Sequence, residues 1–283
     1  MKNIAIITGA SSGMGKEFAV QVAQKYDFDE IWIVARRIEN LEQLARDINQ
    51  NNHFNVVKPV QLDLGGVAGV HKLEKMLAQE NKKLAKVDSG IEIKLLVNNA
   101  GFGTYGPFLD TPVEDEMQMV ELNCTALTGI CGIALPYMKK GSVIINTSSL
   151  AAFMPLGNFA VYAATKAYVL SFSVALAAEL KDRGIKVSAL CPGSVSTEFA
   201  NVASNGARKE VKGGIPPEGV VAQCLERAFK GKLTSLYRLK WRVTAFMSRF
   251  VGRGLVARYT YKHMQRPRKA EETEKEISIA EFK

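Results

Sequence analysis

Two polar side chains in the stretch SSLAAFMPLGNFAVYAATKAY, residues 148–168, have the types and spacing that proton transfer requires. Tyr162 and Lys166 are four residues apart in a helical pattern, so their side chains share one helix face. A phenol ordinarily has a pKa of about 10, and an ammonium group beside it lowers that pKa. The pair predicts a general acid or base acting on a carbonyl or an alcohol. Tyr168 has Phe172 and no cation four residues on, so we interpret it as a packing or interface residue.

A glycine-rich turn, TGASSGMG at residues 8–15, follows the first apolar run and opens a helical segment. A strand, a glycine turn and a helix in this order direct backbone N–H groups and the helix N-terminus at a phosphate. Glycine is needed because a Cβ would block the phosphate or the contact between helix and strand. Taken alone, the turn is equally compatible with a tight turn that binds nothing.

Short apolar runs that alternate with helical periods must position these residues. This alternation predicts an α/β fold, a Rossmann-like doubly wound parallel sheet covered by helices on both faces. No break in composition divides residues 1–230, so we expect a single catalytic domain there and a basic, helical, amphipathic C-terminal extension and tail over 231–283. We expect strands at residues 4–7, 31–35, 56–60, 95–97, 143–146 and 186–190.

Five motifs resemble those of the short-chain dehydrogenase/reductase family and occur in the same order. They are T-G-x-x-x-G-x-G at residues 8–15, N-N-A-G at 98–101, Asn123 in the following helix, Tyr162 with Lys166, and Pro192-Gly193 with Thr197 beyond. Together they cover residues 8–197. The resemblance implies an NAD(P)-binding fold and an oxidoreductase that interconverts carbonyls and alcohols.

The resemblance also implies roles for single residues. Its catalytic serine stands 13 residues before the tyrosine, which is Ser149 here, and strand alternation turns Ser148 to the opposite face. Asn123 would hold a water that links Lys166 to solvent, and Asn98 would line the cofactor. The expected catalytic residues are therefore Asn123, Ser149, Tyr162 and Lys166. The expected cofactor-binding residues are Gly9, Ser11, Ser12, Gly13, Met14, Gly15, Arg36, Arg37, Asp63, Leu64, Asn99, Ala100, Gly101, Tyr162, Lys166, Pro192, Gly193, Val195 and Thr197.

The end of the second predicted strand distinguishes between the two nicotinamide cofactors. An acidic residue there would bind the ribose hydroxyls and repel a 2′-phosphate. This chain has Arg36 and Arg37 instead, which could pair with that phosphate. We expect NADP(H) to be preferred over NAD(H), although both arginines could simply be solvated charges at a strand end.

Apolar side chains near the expected catalytic residues predict an apolar substrate pocket. A steroid, a bile-acid-like ring system, a fatty acyl group or a lipophilic ketone fits such a pocket better than a sugar. Ordinary core packing is the alternative at each position. The expected substrate-side residues are Phe102, Tyr105, Ser149, Met154, Leu156, Tyr162, Val195 and Phe199.

The net charge of +9 comes from one segment, since residues 227–269 hold 13 Lys and Arg and no Asp or Glu. The rest of the chain has 24 basic and 28 acidic residues. Residues 233–266 could lie on an anionic membrane surface, close the substrate pocket or form a dimer contact, or pack on the domain. We expect no nucleic-acid binding, because no nucleic-acid module accompanies the charge.

The remaining composition favours a cytoplasmic protein, with peripheral membrane contact left open. Four cysteines without a C-x-x-C pair are interpreted as reduced core residues, and three histidines lack metal-ligand spacing. We expect no membrane-spanning helix. The family resemblance implies a homodimer or homotetramer. Two other functions stay open, a non-catalytic NADP(H)-binding sensor or scaffold and a carrier-protein-linked 3-oxoacyl reductase.

Overall fold

A computed structural model describes residues 1–51, 56–209, 211 and 213–269. Within these ranges seven parallel strands form one sheet in the order β3-β2-β1-β4-β5-β6-β7. All six expected strands are present, and the doubly wound α/β fold with a single domain is confirmed. The strands are β1 Lys2–Thr8, β2 Glu30–Ala35, β3 Val56–Gln61, β4 Ile91–Asn98, β5 Val143–Thr147, β6 Lys186–Leu190 and β7 Thr234–Ser235.

Helices cover both faces of the sheet. The sequence predicts one long helical stretch over residues 113–139. In the structure a π-helical turn, Glu121–Ala126, joins the helix Val113–Val120 to the helix Leu127–Ala134 there. The α-helices are α1 Gly13–Lys25, α2 Ile38–Asn51, α3 Gly66–Ala85, α4 Val113–Val120, α5 Leu127–Ala134, α6 Ala160–Glu179, α7 Phe199–Ala203, α8 Pro217–Phe229, α9 Leu239–Met247 and α10 Arg253–His263.

Alternate residues of the strands feed two separate cores. Ala5 and Ile7 of β1 join the core under α1, α2 and α8, whereas Ile4 and Ile6 join the core under α3, α5 and α6. All four side chains are fully buried, which explains why β1 reads as a continuous apolar run. The chain reverses its direction of winding between β1 and β4, and in such sheets ligands bind at the carboxyl ends of the strands beside that point.

Two helical stretches are long and apolar enough to span a membrane by length and composition alone, among the residues that the structure describes. They are Val113–Tyr137 and Ala160–Glu179. Our expectation that no segment would meet this criterion was therefore wrong. The apolar side chains are accounted for by packing, because α5 and α6 lie against the sheet and contribute Leu127, Ile130 and Val169 to its core.

The C-terminal segment is built into the domain at three places. β7 extends the sheet by pairing with β6, and Trp241 of α9 is 4% exposed in the core. A Cβ on Gly193 would lie 2.4 Å from the Trp241 ring, so glycine permits this contact. At α10, the backbone N–H of Gly157 donates to Thr260 Oγ1 at 2.9 Å. The interpretation of residues 233–266 as a segment packed on the domain therefore describes α9 and α10, and residues 270–283 lie outside the described ranges.

Candidate active site

One continuous cleft of about 1360 Å³ runs along the carboxyl ends of the strands. It begins at the glycine turn after β1 and ends among residues from the loop after β6 and from α9 and α10. Of the residues expected from the sequence to bind cofactor or substrate or to catalyse, all but Gly15, Asn98 and Asn123 line this cleft.

The glycine turn has the geometry of a phosphate cradle. Gly9 and Gly13 have φ values of +66° and +53°, in the left-handed region that favours glycine. A Cβ on Gly15 would lie 2.1 Å from the carbonyl oxygen of Gly9, so this residue is needed for the close approach of helix to strand. In the described part of the chain, no side chain caps the N-terminus of α1. The backbone N–H groups at this helix end are therefore available to bind a pyrophosphate, the group that nicotinamide dinucleotides contain.

Asn99 joins the N-N-A-G motif to this turn. Its side-chain amide donates to the carbonyl oxygens of Thr8 and Gly9 at 3.2 and 3.3 Å. The adjacent Asn98 is turned away: it is 3% exposed, and its amide donates to Asn146 Oδ1 at 2.9 Å and to Cys131 Sγ at 3.2 Å. The expectation that Asn98 lines the cofactor was wrong, because strand alternation directs successive side chains to opposite faces.

Arg37 makes an anion-binding corner with the serines of the glycine turn. Its Nη2 donates to Ser11 Oγ at 3.1 Å and to Ser12 Oγ at 2.9 Å. The same nitrogen forms a 2.9 Å ion pair with Glu198, from the loop after β6. No motif indicated Glu198, which approaches Arg37 across the mouth of the cleft. Arg36 also lines the cleft.

Tyr162 and Lys166 lie on one face of α6, deep in the cleft. The Tyr162 ring stacks on Phe159 with centroids 4.1 Å apart, and Lys166 Nζ is 5.5 Å from the Tyr162 centroid. Lys166 Nζ donates to the carbonyl oxygen of Thr147 at 2.9 Å. The shared face predicted from the four-residue spacing is thus present.

The protonation of this pair differs from the sequence-based expectation. Burial raises the pKa of Tyr162, although the hydrogen bond to Ser149 opposes the shift, and burial lowers the pKa of Lys166 to about 8. Our expectation that Lys166 would lower the Tyr162 pKa was wrong, because loss of solvent is the largest influence on that pKa and the groups that oppose it are Ser149 and Arg266. Near neutral pH, Tyr162 is therefore a protonated phenol that can donate.

The two serines after β5 have different surroundings. Ser149 accepts a hydrogen bond from the Ala151 N–H at 3.1 Å and donates to the Pro192 carbonyl oxygen at 3.5 Å, and its hydroxyl lies near enough to the Tyr162 phenol to oppose the rise of that pKa. The Ser148 hydroxyl is committed elsewhere, since it donates to the Lys166 carbonyl oxygen at 2.7 Å. The structure therefore brings Ser149 to the phenol, as the count of 13 residues and the strand argument predict.

Asn123 lies behind the cleft wall, in the π-helical turn. Its amide donates to the Phe102 carbonyl oxygen at 2.9 Å and to Thr165 Oγ1 at 3.1 Å, and its Oδ1 accepts from the Phe102 N–H at 3.1 Å. A Cβ on Gly101 would lie 2.7 Å from Asn123 Oδ1 and 3.4 Å from Lys166 Nζ. Asn123 thus holds the loop after β4 against the catalytic helix, and its water-relay role stays a prediction.

The substrate end of the cleft has apolar walls and a roof of C-terminal residues. The expected apolar residues are in place, and Phe159 joins them. The alternative in which residues 233–266 close the substrate pocket is thus present in the structure beside their packing on the domain, although no local motif indicated which single residues line the cleft. The roof residues are Arg208, Trp241, His263, Met264, Gln265 and Arg266.

No cluster of three or more His, Cys, Asp or Glu side chains suited to a metal ion occurs among the residues described, and His53 lies outside them. The four cysteines are free, and Cys124 is partly exposed rather than a core residue as expected.

Comparison with known proteins supports the family resemblance. A sequence model described as short chain dehydrogenase matches residues 3–207. The very-long-chain 3-oxoacyl-CoA reductase of Pyricularia oryzae is 32% identical over 187 residues, covering 65% of this chain and 53% of the relative. The 17-beta-hydroxysteroid dehydrogenase type 3 of Mus musculus is 31% identical over 206 residues, covering 71% and 63%. The chain spans little more than half the length of the 3-oxoacyl-CoA reductases of Pyricularia oryzae, Neurospora crassa and Pyrenophora tritici-repentis.

Solved structures share the fold. A short-chain dehydrogenase from Sphingobium yanoikuyae in complex with NADPH has a TM-score of 0.71 at 26% identity, covering 88% of this chain and 94% of that one. A short-chain dehydrogenase/reductase from Burkholderia phymatum in complex with NAD has a TM-score of 0.74 at 20% identity, covering 87% and 92%, which shows the fold alone. Since the family model matches well over half of the 283 residues, this chain belongs to the short-chain dehydrogenase family.

Proposed function

We propose that the protein is an NADP(H)-dependent oxidoreductase that interconverts a carbonyl and a secondary alcohol on an apolar substrate. The observation that carries this proposal is the buried Tyr162, whose phenol lies beside Ser149 and Lys166 in a cleft continuous with the glycine turn. Relatives whose names specify 3-oxoacyl-CoA and a hydroxysteroid support an apolar substrate. Steroid, bile-acid-like, fatty acyl and lipophilic ketone substrates are the candidates.

A bound nicotinamide supplies the hydride, and this chain supplies position and the proton. Tyr162 donates its proton to the carbonyl oxygen, while the Ser149 hydroxyl orients that oxygen. The Lys166 side chain, with a pKa of about 8, holds a positive charge beside the phenol while it is protonated. Because burial raises the Tyr162 pKa, its phenol keeps its proton near neutral pH and can serve as the donor when a carbonyl is reduced.

The preference for NADP(H) is supported by the corner that Arg37 forms with Ser11 and Ser12. A guanidinium group flanked by two hydroxyls offers charge-assisted hydrogen bonds to a 2′-phosphate. Glu198 now pairs with Arg37, so a phosphate would compete with this carboxylate. The ratio of kcat/KM for NADPH to that for NADH measures the preference, and a clear preference for NADH would refute it.

The central test compares two tyrosines of the same helix. Wild-type protein is assayed with NADPH and NADH against steroid, bile-acid, acyl and small ketones. Tyr162→Phe should abolish turnover while fluorescence titration still detects cofactor binding. Tyr168→Phe is the matched control, because Tyr168 is 43% exposed and bonds only Thr128 at 2.8 Å. Retention of most of kcat in Y162F would refute the proposed mechanism.

Two alternative functions have their own discriminating results. In a non-catalytic NADP(H)-binding sensor or scaffold, wild-type protein would bind cofactor and turn over no ketone. In a carrier-protein-linked 3-oxoacyl reductase, the basic segment 233–266 would dock an acidic carrier. Added salt would then lower activity on carrier-bound substrate much more than activity on a free ketone.

We also propose peripheral contact of a cytoplasmic protein with anionic membranes through residues 233–266. Leu239, Phe250 and Leu255 are 72%, 69% and 72% exposed, and the surrounding charges are all basic. Phe250→Ser with Leu255→Ser should reduce sedimentation with phosphatidylserine vesicles. Leu109→Ser is the control, at a site 94% exposed on another surface. Equal sedimentation of all variants, or none by wild type, would contradict this contact.

A homodimer or homotetramer is proposed from the family resemblance. Met117 on α4 and Tyr168 and Val174 on α6 are exposed apolar side chains that association could cover. Light scattering with wild type and Val174→Arg tests the assembly, and a wild-type monomer at micromolar concentration would exclude it.

A further inference from the structure

Two arginines at the substrate end of the cleft form no ion pair with any of the residues that the structure describes. Arg208 follows α7, Arg266 follows α10, and both line the cleft. Nearby, Arg268 forms a 2.5 Å ion pair with Asp115. Across the ranges that the structure describes, no carboxylate forms an ion pair with either Arg208 or Arg266. Within those described ranges, the two guanidinium charges in the cleft are therefore not balanced by a carboxylate.

Backbone contacts hold both guanidinium groups in place. Arg208 Nη2 donates to the Gln265 carbonyl oxygen at 3.0 Å, and Arg266 Nη1 donates to the Gly157 carbonyl oxygen at 3.2 Å. The backbone N–H of Arg208 also donates to Ser204 Oγ at 2.8 Å, which holds the main chain of Arg208 in place. Since a guanidinium group carries five N–H donors, most of the donors on each arginine remain available for a ligand.

Aromatic rings orient these groups toward the catalytic tyrosine. Arg266 Cζ lies 4.8 Å from the Phe159 centroid, and Phe159 stacks directly on Tyr162. Arg208 Cζ and Arg266 Cζ lie 5.7 and 6.0 Å from the centroid of the same Tyr105 ring. Stacking uses the flat faces of a guanidinium group and leaves its N–H edges free for bidentate bonds. Arg266 thus contacts Phe159, and Phe159 in turn contacts the ring of Tyr162.

This arrangement is electrostatically costly without an anion. Burial lowers the pKa of Arg266, and the like charge of Arg208 lowers it further. Unpaired charges in a partly desolvated site destabilise a fold, and a bound anion would offset that cost. The same pair offers an anion charge-assisted hydrogen bonds at a partly buried site, where they are stronger than in bulk water.

We propose that Arg208 and Arg266 bind an anionic group of the substrate, a carboxylate or a phosphate, while its apolar body lies against Phe159 and Tyr105. The inference rests on the proposed function and narrows it, since the substrate is an amphiphilic ketone with a charged end. Two sources of that charge fit, a carboxylic acid on the substrate itself or the phosphates of a coenzyme A thioester.

Matched substrate pairs test the proposal. A keto bile acid is compared with its methyl ester, and a 3-oxoacyl coenzyme A with the N-acetylcysteamine thioester that lacks phosphates. Charge-assisted bonds predict that wild type favours the charged member of one pair by about 10- to 100-fold in kcat/KM. Arg208→Met and Arg266→Met should bring that ratio close to one. Arg258→Met, at an exposed position of α10 outside the cleft, should keep the wild-type ratio.

A binding measurement separates this proposal from the proposed function. Calorimetric titration with decanoate and decanol requires no turnover, and decanoate should bind more tightly through Arg266. If wild type reduces no ketone but shows Arg266-dependent decanoate binding, the proposed function fails and the anion site stands. If ketones are reduced with equal kcat/KM for charged and neutral members, or the Arg266→Met ratio equals that of wild type, the anion site is refuted.

Discussion

Gly157 is the position where adding one methyl group should separate α10 from the loop that precedes the catalytic helix α6. A Cβ there would lie 2.5 to 2.7 Å from the Cβ, Cα and N atoms of Tyr261, and two of these are backbone atoms of α10 that have no freedom to rotate away. Gly157→Ala should therefore displace α10 rather than be absorbed locally. The expected change is local opening of the roof, with the sheet and its cores left intact.

The size of the effect follows from the contacts that displacement breaks. Four hydrogen bonds join the segments here: Gly157 N–H to Thr260 Oγ1, the Asn158 amide to the carbonyl oxygens of Tyr261 and Met264, and Arg266 Nη1 to the Gly157 carbonyl oxygen. At about 1 kcal/mol each, their loss would weaken docking of α10 and the residues after it by about 4 kcal/mol, or roughly 1000-fold in the docking equilibrium.

Hydrogen exchange across α10 measures this prediction directly. Exchange of residues 253–263 should accelerate in Gly157→Ala, while β1 and β4 keep wild-type protection. Gly132→Ala is the matched control, because a Cβ at Gly132 of α5 would meet nothing within 4 Å. That control should stabilise the protein by about 0.5–1 kcal/mol, as alanine favours a helix interior. Unchanged exchange of α10 in Gly157→Ala would refute the reasoning.

Three further predictions concern the cofactor and the proton. Glu198→Gln should raise the ratio of kcat/KM for NADPH over NADH by about 3- to 10-fold, because Arg37 loses a competing carboxylate; an unchanged ratio would show that this ion pair is incidental. Activity that depends on protonated Lys166 should fall as pH rises through about 8, and Lys166→Arg should move that limb of the kcat/KM profile upward; a limb that stays in place belongs to another group. Gly15→Ala should weaken NADPH binding in a fluorescence titration by at least about 10-fold, since overpacking costs 1–3 kcal/mol; wild-type affinity would contradict the need for close helix approach.

Much of the scaffold could be predicted from the sequence because its signals are local. The buried strands read as apolar runs, and glycine positions in the turn after β1 are dictated by backbone conformation and contact. β7 was missed because a pair of residues, Thr234–Ser235, carries no periodicity. The choice of Ser149 over Ser148 followed from strand alternation, which the hydrogen bond of Ser148 to Lys166 matches.

The unpredicted parts of the site depend on the environment that the fold creates. The spacing of Tyr162 and Lys166 shows that they share a helix face, but it does not show that both are buried, and burial decides the direction of both pKa shifts. Arg208 and Arg266 are far apart in the chain and meet over Tyr105 only in the folded protein. The spacing of Tyr162 and Lys166 therefore predicted proton transfer, whereas their burial and the nearby arginine charges could be seen only in the folded protein.

The roof residues lie outside the part of the chain that the family model matches, so they can differ between family members that share the same catalytic residues. The family match ends at residue 207, and the roof residues Arg208, Trp241 and Arg266 come after it. Substitutions of Arg208 or Arg266 would alter which substrate is enclosed and leave α8, which shares a core with α1, in place. Exchanging residues 253–269 between two members of the family would accordingly change substrate choice while leaving the hydride and proton chemistry of the recipient in place.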